Sequence, residues 1–228
     1  MSLTLFYTIV GFGLAGWSVI ANDSIQTLGT YMASKMKWFK WYTLAGVASI
    51  AMIITITYGW YVNNGDISYG RLTQIPYQKI YWYHAVAPAI LVFLTRKGIP
   101  VSTTFLVLSA FASTVVLEKM LLKSIVGYGV AAVFAYACWF IIAKFINEKK
   151  DHIENDTQRK FWRNIKWGTS ALLWSTWLMH DVANIAVYLP RKVDGWLLVV
   201  VLAYFTILLF YLFKTKGGSI QDVVLHKT

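Results

Sequence analysis

The hydrophobic and polar positions along the chain fall into long apolar runs separated by short polar connections. A helix that crosses the hydrocarbon core of a membrane needs about 20 mostly apolar residues. The runs that reach or approach this length are 3–21, 42–62, 81–95, 101–117, 124–143, 167–190 and 196–213. The alternating pattern that is typical of strands is missing. The pattern therefore predicts an all-α polytopic membrane protein.

The polar connections predict how the chain is organised. The stretch 147–166 has the densest group of Lys and Arg, mixed with acidic residues, which indicates a cytoplasmic connection. The loop 63–76 has turn residues and few charges, which suits the opposite side of the membrane. We therefore predict a first transmembrane repeat over 1–146, a polar cytoplasmic connection over 147–166, and the start of a second repeat over 167–228.

Composition and charge narrow the classes of function. The chain is 57% apolar, with a mean hydropathy of +0.54 and a formal net charge of +11. Since its Lys and Arg lie almost entirely in the connections, the charge fits cytoplasmic loops better than nucleic-acid binding. We expect membrane lipid as a partner, the inner or plasma membrane as the location, and no nucleic acid. A nucleophile with a base, a Walker loop and a haem-ligand pair are all missing, so we expect neither an enzyme nor a cofactor.

Two short motifs repeat one pattern inside or beside apolar runs. "NDSIQ" (22–26) and "HDVAN" (180–184) each place a side-chain amide three residues after an aspartate, on the same face of a helix. A charge at mid-membrane costs at least about 2.5–3.5 kcal/mol, so Asp23 and Asp181 are candidates for ion or proton binding. The alternative is that Asp23 caps a helix at the interface and Asp181 pairs with a basic residue. His180 has no partner at metal-ligand spacing, so we expect no transition-metal site.

A third motif combines a helix break with hydroxyl groups. In "GIPVSTTFLVLSAFAS" (98–113), Pro100 fits the first turn of a helix and Gly98 allows a break before it. Ser102, Thr103 and Thr104 follow, where unpaired backbone N–H groups and the helix dipole attract anions. The alternative is that these hydroxyls bond back to carbonyls of the preceding turn.

These three motifs together resemble those of the inorganic phosphate transporters, the sodium- or proton-coupled phosphate permeases. Residues 20–30 resemble the signature Gly-Ala-Asn-Asp-Val-Ala-Asn-Ala-x-Gly-Thr, and "HDVANIA" resembles its second copy. "PVSTT" matches the family's Pro-Val-Ser-Thr-Thr-His element. The departures from the family are Ile20 for Gly, Gln26 for Asn, Phe105 for His and His180 for Asn.

The resemblance implies an inverted-repeat secondary transporter with broken or re-entrant helices that moves inorganic phosphate by symport with Na⁺ or H⁺. The implied substrate-binding residues are Asn22, Gln26, Ser102, Thr103, Thr104 and Asn184. The implied coupling-ion residues are Asp23, Asp181, Ser102 and Thr104. Two carboxylates without cations would repel phosphate. Hard cations held by oxygen ligands would bridge the carboxylates to the phosphate.

Other functions and an incomplete chain remain open at this point. The same architecture would serve sulfate or another oxyanion, and a non-transporting scaffold or channel-like subunit would use the polar residues only to hold helices together. The second repeat is expected to be truncated, because the spacing from Asp23 to Ser102, applied from Asp181, puts a second hydroxyl triplet beyond Thr228. Either a longer gene product or a symmetric partner in a homodimer would then supply the missing helices.

Overall fold

The structure is a computed structural model that describes residues 2–99, 101–145 and 156–217. Within these ranges the regular structure is helical, without strands, which confirms the all-α prediction. The helices in chain order are α1 (Leu3–Lys35), α2 (Trp41–Val62), α3 (Trp82–Arg96), α4 (Thr103–Leu108), α5 (Thr114–Phe145), α6 (Asp156–Asp181), α7 (Ala183–Ala186) and α8 (Gly195–Lys214).

Four of these helices are long and apolar enough to cross a membrane, namely α1, α2, α5 and α8. Helix α3, with 15 residues, is only about 22 Å long, shorter than a hydrocarbon core of about 30 Å. The prediction of one apolar segment over 101–117 is wrong, since α4 ends at Leu108 and α5 begins at Thr114. In the predicted polar connection, residues 147–155 lie outside the described residues and 156–166 form the start of α6.

The chain divides into two compact units. The first contains residues 1–111 and 169–228, and the second contains residues 112–168. The second unit is built from α5 and the beginning of α6, and none of the described α5 side chains is buried. The predicted division into repeats concerns sequence symmetry and stays a prediction.

Helix α1 is the centre of the first unit because small residues let its neighbours approach closely. A Cβ atom at Gly16 would lie 2.5 Å from the ring of Tyr204, and one at Gly11 would overlap the ring of Tyr188. The Tyr204 hydroxyl also donates to the Gly13 carbonyl at 2.6 Å. Close backbone approach at small residues is how helices pack in membranes, where there is no hydrophobic driving force between them.

A proline within α3 creates a backbone acceptor that another segment satisfies. Pro88 has no N–H, so the carbonyl of His84, four residues earlier, lacks its normal helical partner. The Tyr188 hydroxyl donates to that carbonyl at 2.6 Å. The Ser18 hydroxyl donates to the Pro88 carbonyl at 3.4 Å, which joins α1 to the same part of α3.

The chain reverses its direction between α3 and α4. The Phe111 ring, just after α4, stacks on the ring of His84 at the start of α3, with centroids 4.3 Å apart. The Gln78 amide, which precedes α3, donates to the Phe111 carbonyl at 3.2 Å. The turn between the two helices consequently lies at the far end of this pair, beside the middle of α1.

The connection from α2 to α3 is packed and ordered by an aspartate. The Asp66 carboxylate accepts from the backbone N–H groups of Ser68 at 2.7 Å and Gly70 at 2.9 Å. The Gly65 carbonyl accepts from the Val193 N–H at 2.9 Å, which attaches this connection to the segment between α7 and α8. The connection therefore has a fixed conformation and is held against the segment between α7 and α8.

Candidate functional site

The first aspartate of the repeated pattern is buried in the middle of α1. This helix is unbroken through the motif, and Asn22 and Asp23 are 0% and 2% exposed. The Asn22 amide donates to Asp23 Oδ1 at 2.8 Å and to the Val101 carbonyl at 3.0 Å. Asp23 therefore lies against the turn between α3 and α4 and does not cap the end of a helix.

The turn between α3 and α4 brings two hydroxyl groups to this point. The Thr103 hydroxyl donates to Asp23 Oδ2 at 2.9 Å, and the Thr104 hydroxyl donates to Asp181 Oδ1 at 3.1 Å. The neighbouring Ser102 accepts from the Phe105 N–H at 3.3 Å and so caps α4. Because of this cap the helix begins at Thr103, later than predicted, and Pro100 lies outside the described residues.

The second aspartate is at the last residue of α6, where the helix is interrupted at Val182 before α7. The amide of Asn184, in α7, donates to the hydroxyl oxygens of Thr103 at 3.2 Å and Thr104 at 3.1 Å. It also lies 3.4 Å from Asp181 Oδ1. One hydrogen-bond network thus connects residues that are far apart in the sequence, and we call it the carboxylate cluster: Asn22, Asp23, Thr103, Thr104, Asp181 and Asn184.

The carboxylate cluster has more buried acceptors than donors. The carboxyl groups of Asp23 and Asp181 are close enough to affect each other electrostatically, and both residues are almost fully buried. The amide oxygens Oδ1 of Asn22 and Asn184 are also buried and have no hydrogen-bond partner. Buried polar atoms are normally paired, and unpaired oxygens beside two carboxylates suit a cation. The cluster can therefore hold Na⁺ or protons through oxygen ligands.

A transition-metal site would need several His, Cys, Asp or Glu side chains close together. Among the described residues, three or more His, Cys, Asp or Glu side chains do not come together anywhere in the way that such a metal site requires. His180 Nδ1 lies 3.1 Å from Asp181 Oδ1, and the histidine side chain is 48% exposed. His180 thus forms part of the rim of the cluster and is not packed in the interior.

Arg71 is a second polar residue on this rim, and none of the sequence motifs predicted it. Its Nε–H donates to the Met179 carbonyl at 3.2 Å, and the Arg71 side chain is exposed. Desolvation lowers the pKa of the Arg71 guanidinium, and the Asp181 carboxylate acts on it in the opposite direction. The sequence carries no local signal for this contact, because the two residues come from different segments of the chain.

Two of the residues that the resemblance implied lie outside the carboxylate cluster. Gln26 is exposed and makes no hydrogen bond to another described residue, and Ser102 is exposed and caps α4. The structure brings the other six candidate residues together. The alternative that their hydroxyls serve only their own helix does not apply to Thr103 and Thr104, which donate to aspartates of other helices.

No protein-family model, no curated protein and no solved structure matches this chain.

Proposed function

We propose that the chain is a secondary active transporter that moves inorganic phosphate across a membrane by symport with Na⁺ or H⁺. One observation carries the proposal: both aspartates of the repeated motif and two hydroxyls of the "PVSTT" element belong to a single buried network. These are the three elements that resemble the phosphate permeases. If the three motifs resembled the family only by chance, there would be no reason for them to lie together in the structure.

The charge of the network supports a coupling cation. Two ionised carboxylates at membrane depth are costly unless a cation or protons neutralise them. A phosphate ion beside them is repelled until that neutralisation has occurred. Binding of the cation thereby becomes a condition for binding of the anion, which is the energetic requirement of symport.

The course of the helices supports an inverted repeat. The connection after α2 contacts the last turn of α6 through Arg71 and Met179, and the segment after α7 contacts Gly11 in the first half of α1 through Tyr188. The helices that carry Asp23 and Asp181 consequently run in opposite directions. Helices α3 and α4 would form a re-entrant pair whose tip closes the site, as in transporters with broken helices at the midplane.

The test is uptake of labelled phosphate into proteoliposomes that contain the purified 228-residue chain. Asp23→Asn and Asp181→Asn should each reduce cation-dependent uptake about tenfold or more, since a carboxylate close to a bound cation contributes several kcal/mol. Asp194→Asn is the matched control. It also removes a carboxylate, but Asn caps α8 as well as Asp does.

Uptake must saturate with phosphate concentration and show counterflow. A linear, unsaturable leak in the wild type would support the channel-like alternative, and normal uptake by both aspartate variants would exclude a coupling role for the cluster. Competition by sulfate and other oxyanions in the same assay identifies the preferred anion.

A further inference from the structure

Arg71 presents a positive charge at the edge of the carboxylate cluster. Its Nε–H is bonded to the carbonyl of Met179, two residues before Asp181 in α6. The guanidinium interacts electrostatically with the Asp181 carboxylate but forms no direct ion pair with it in the described structure. The terminal Nη groups make no hydrogen bond to the described residues, so both remain available to a ligand.

The segment that carries Arg71 is held in a fixed conformation. Gly70, directly before it, has a positive φ of 74° and donates its N–H to the Asp66 carboxylate. Ser68 and Leu72 on either side of Arg71 are 0% and 3% exposed. The backbone that carries Arg71 is therefore fixed, and the Nε–H bond to Met179 restrains the side chain, which reduces the conformational entropy lost when the guanidinium binds a ligand.

The geometry of a guanidinium selects a particular class of ligand. Its parallel N–H groups match two oxygens of a tetrahedral oxyanion such as phosphate or sulfate, whereas an ammonium group acts as a point charge. Once coupling cations neutralise the carboxylates, Arg71 would supply a positive charge for an oxyanion at the rim of the cluster. His180, which contacts Asp181, adds a ring nitrogen to the same rim.

We propose that Arg71 is the residue that recognises the oxyanion where it enters the carboxylate cluster, and that it determines the affinity for phosphate. This inference rests on the proposed function and adds a recognition residue that none of the three sequence motifs contains. Arg71 binds the substrate directly in this account, while Asp66 and Gly70 position it.

The experiment measures phosphate uptake by proteoliposomes at saturating Na⁺ for the wild type, Arg71→Gln, Arg71→Lys and Lys79→Gln. Arg71→Gln should raise the half-saturation concentration for phosphate about tenfold or more, because hydrogen bonds to a charged group are lost. Arg71→Lys should give an intermediate rise, since it keeps the charge but loses the planar fork. Lys79→Gln removes an exposed positive charge from the same connection and should resemble the wild type.

The maximal uptake rate and the melting temperature separate recognition from a structural role. Under the proposal both stay near the wild-type values in Arg71→Gln. An unchanged half-saturation concentration, or a loss of maximal rate with a lowered melting temperature, would overturn it. Failure of the proposed function has a different signature, because the wild type itself would then show no saturable, cation-dependent uptake of phosphate or sulfate.

Discussion

Thr103 and Thr104 are adjacent in the sequence, yet each hydroxyl donates to a different aspartate. Thr103 binds Asp23 of α1, Thr104 binds Asp181 of α6, and Asn184 donates to both hydroxyls. The start of α4 is therefore the link between the two copies of the aspartate motif. A movement of this helix start would change the environment of both carboxylates together, which suits a site in which cation and anion binding are coupled.

This arrangement leads to a prediction at the level of single hydroxyl groups. The double variant Thr103→Ala/Thr104→Ala should weaken phosphate or Na⁺ affinity by about a hundredfold or more, since it removes two hydrogen bonds to charged groups and each contributes about 1.5–3 kcal/mol. The double variant Thr103→Ser/Thr104→Ser keeps both hydroxyls and should remain close to the wild type. The half-saturation concentrations for phosphate and Na⁺ in uptake measurements test this prediction. Equal effects of the Ala and Ser variants would contradict a role for the two hydroxyl groups.

All six members of the carboxylate cluster could be predicted from the sequence, whereas Gln26 and Ser102, which were predicted with them, lie outside it and Arg71 on its rim was missed. Asp23, Asp181 and Asn184 could be predicted because polar groups in apolar runs are costly. Gln26 fits the same pattern but lies about 4.5 Å farther along α1 than Asp23. The turn between α3 and α4 covers Asp23 and does not reach Gln26. Arg71 could not be predicted, because its contact with α6 depends on how a long connection folds.

At the level of elements, apolar runs predicted helices well and predicted their breaks poorly. The run 81–95 became α3 almost unchanged, whereas the run 101–117 was divided between α4 and α5. Hydropathy does not register this difference, because the segment 109–113 has only two polar residues, Ser109 and Ser113, and they are too few to interrupt an apolar average. The first copy of the aspartate motif lies within an unbroken helix and the second lies at an interruption, although their sequences are alike.

The interaction of Tyr188 with α3 gives a prediction about stability. Tyr188→Phe leaves the buried His84 carbonyl without a partner, which should cost about 1–3 kcal/mol of unfolding free energy. Thermal unfolding in detergent measures this loss. Tyr61→Phe, at a tyrosine that is 77% exposed, is the control and should have little effect.

A double-variant cycle tests the physical reason for that loss. Pro88→Ala restores an N–H group that can bond to the His84 carbonyl, so Tyr188→Phe should be less destabilising in the Pro88→Ala background. Strictly additive effects of the two substitutions would show that the loss in Tyr188→Phe does not come from an unpaired His84 carbonyl.

At the scale of the whole molecule, the carboxylate cluster is a side-chain network that holds four helices together. It connects α1, the start of α4, the end of α6 and α7, whose residues come from both ends of the first unit. Neutralising the two carboxylates would therefore stabilise the packing of this unit as a whole. A ligand that binds only the folded state raises stability by mass action.

This connection predicts that Na⁺ stabilises the fold if Na⁺ is the coupling ion. At a concentration about 100 times its dissociation constant, a cation bound to the native state alone adds about 2.7 kcal/mol. The melting temperature of the wild type in detergent should therefore be higher in sodium than in choline at equal ionic strength. Asp23→Asn/Asp181→Asn should abolish the difference, and Asp194→Asn should retain it. Equal melting temperatures of the wild type in the two salts would exclude Na⁺ binding at the cluster, and protons would then be the coupling ions to test.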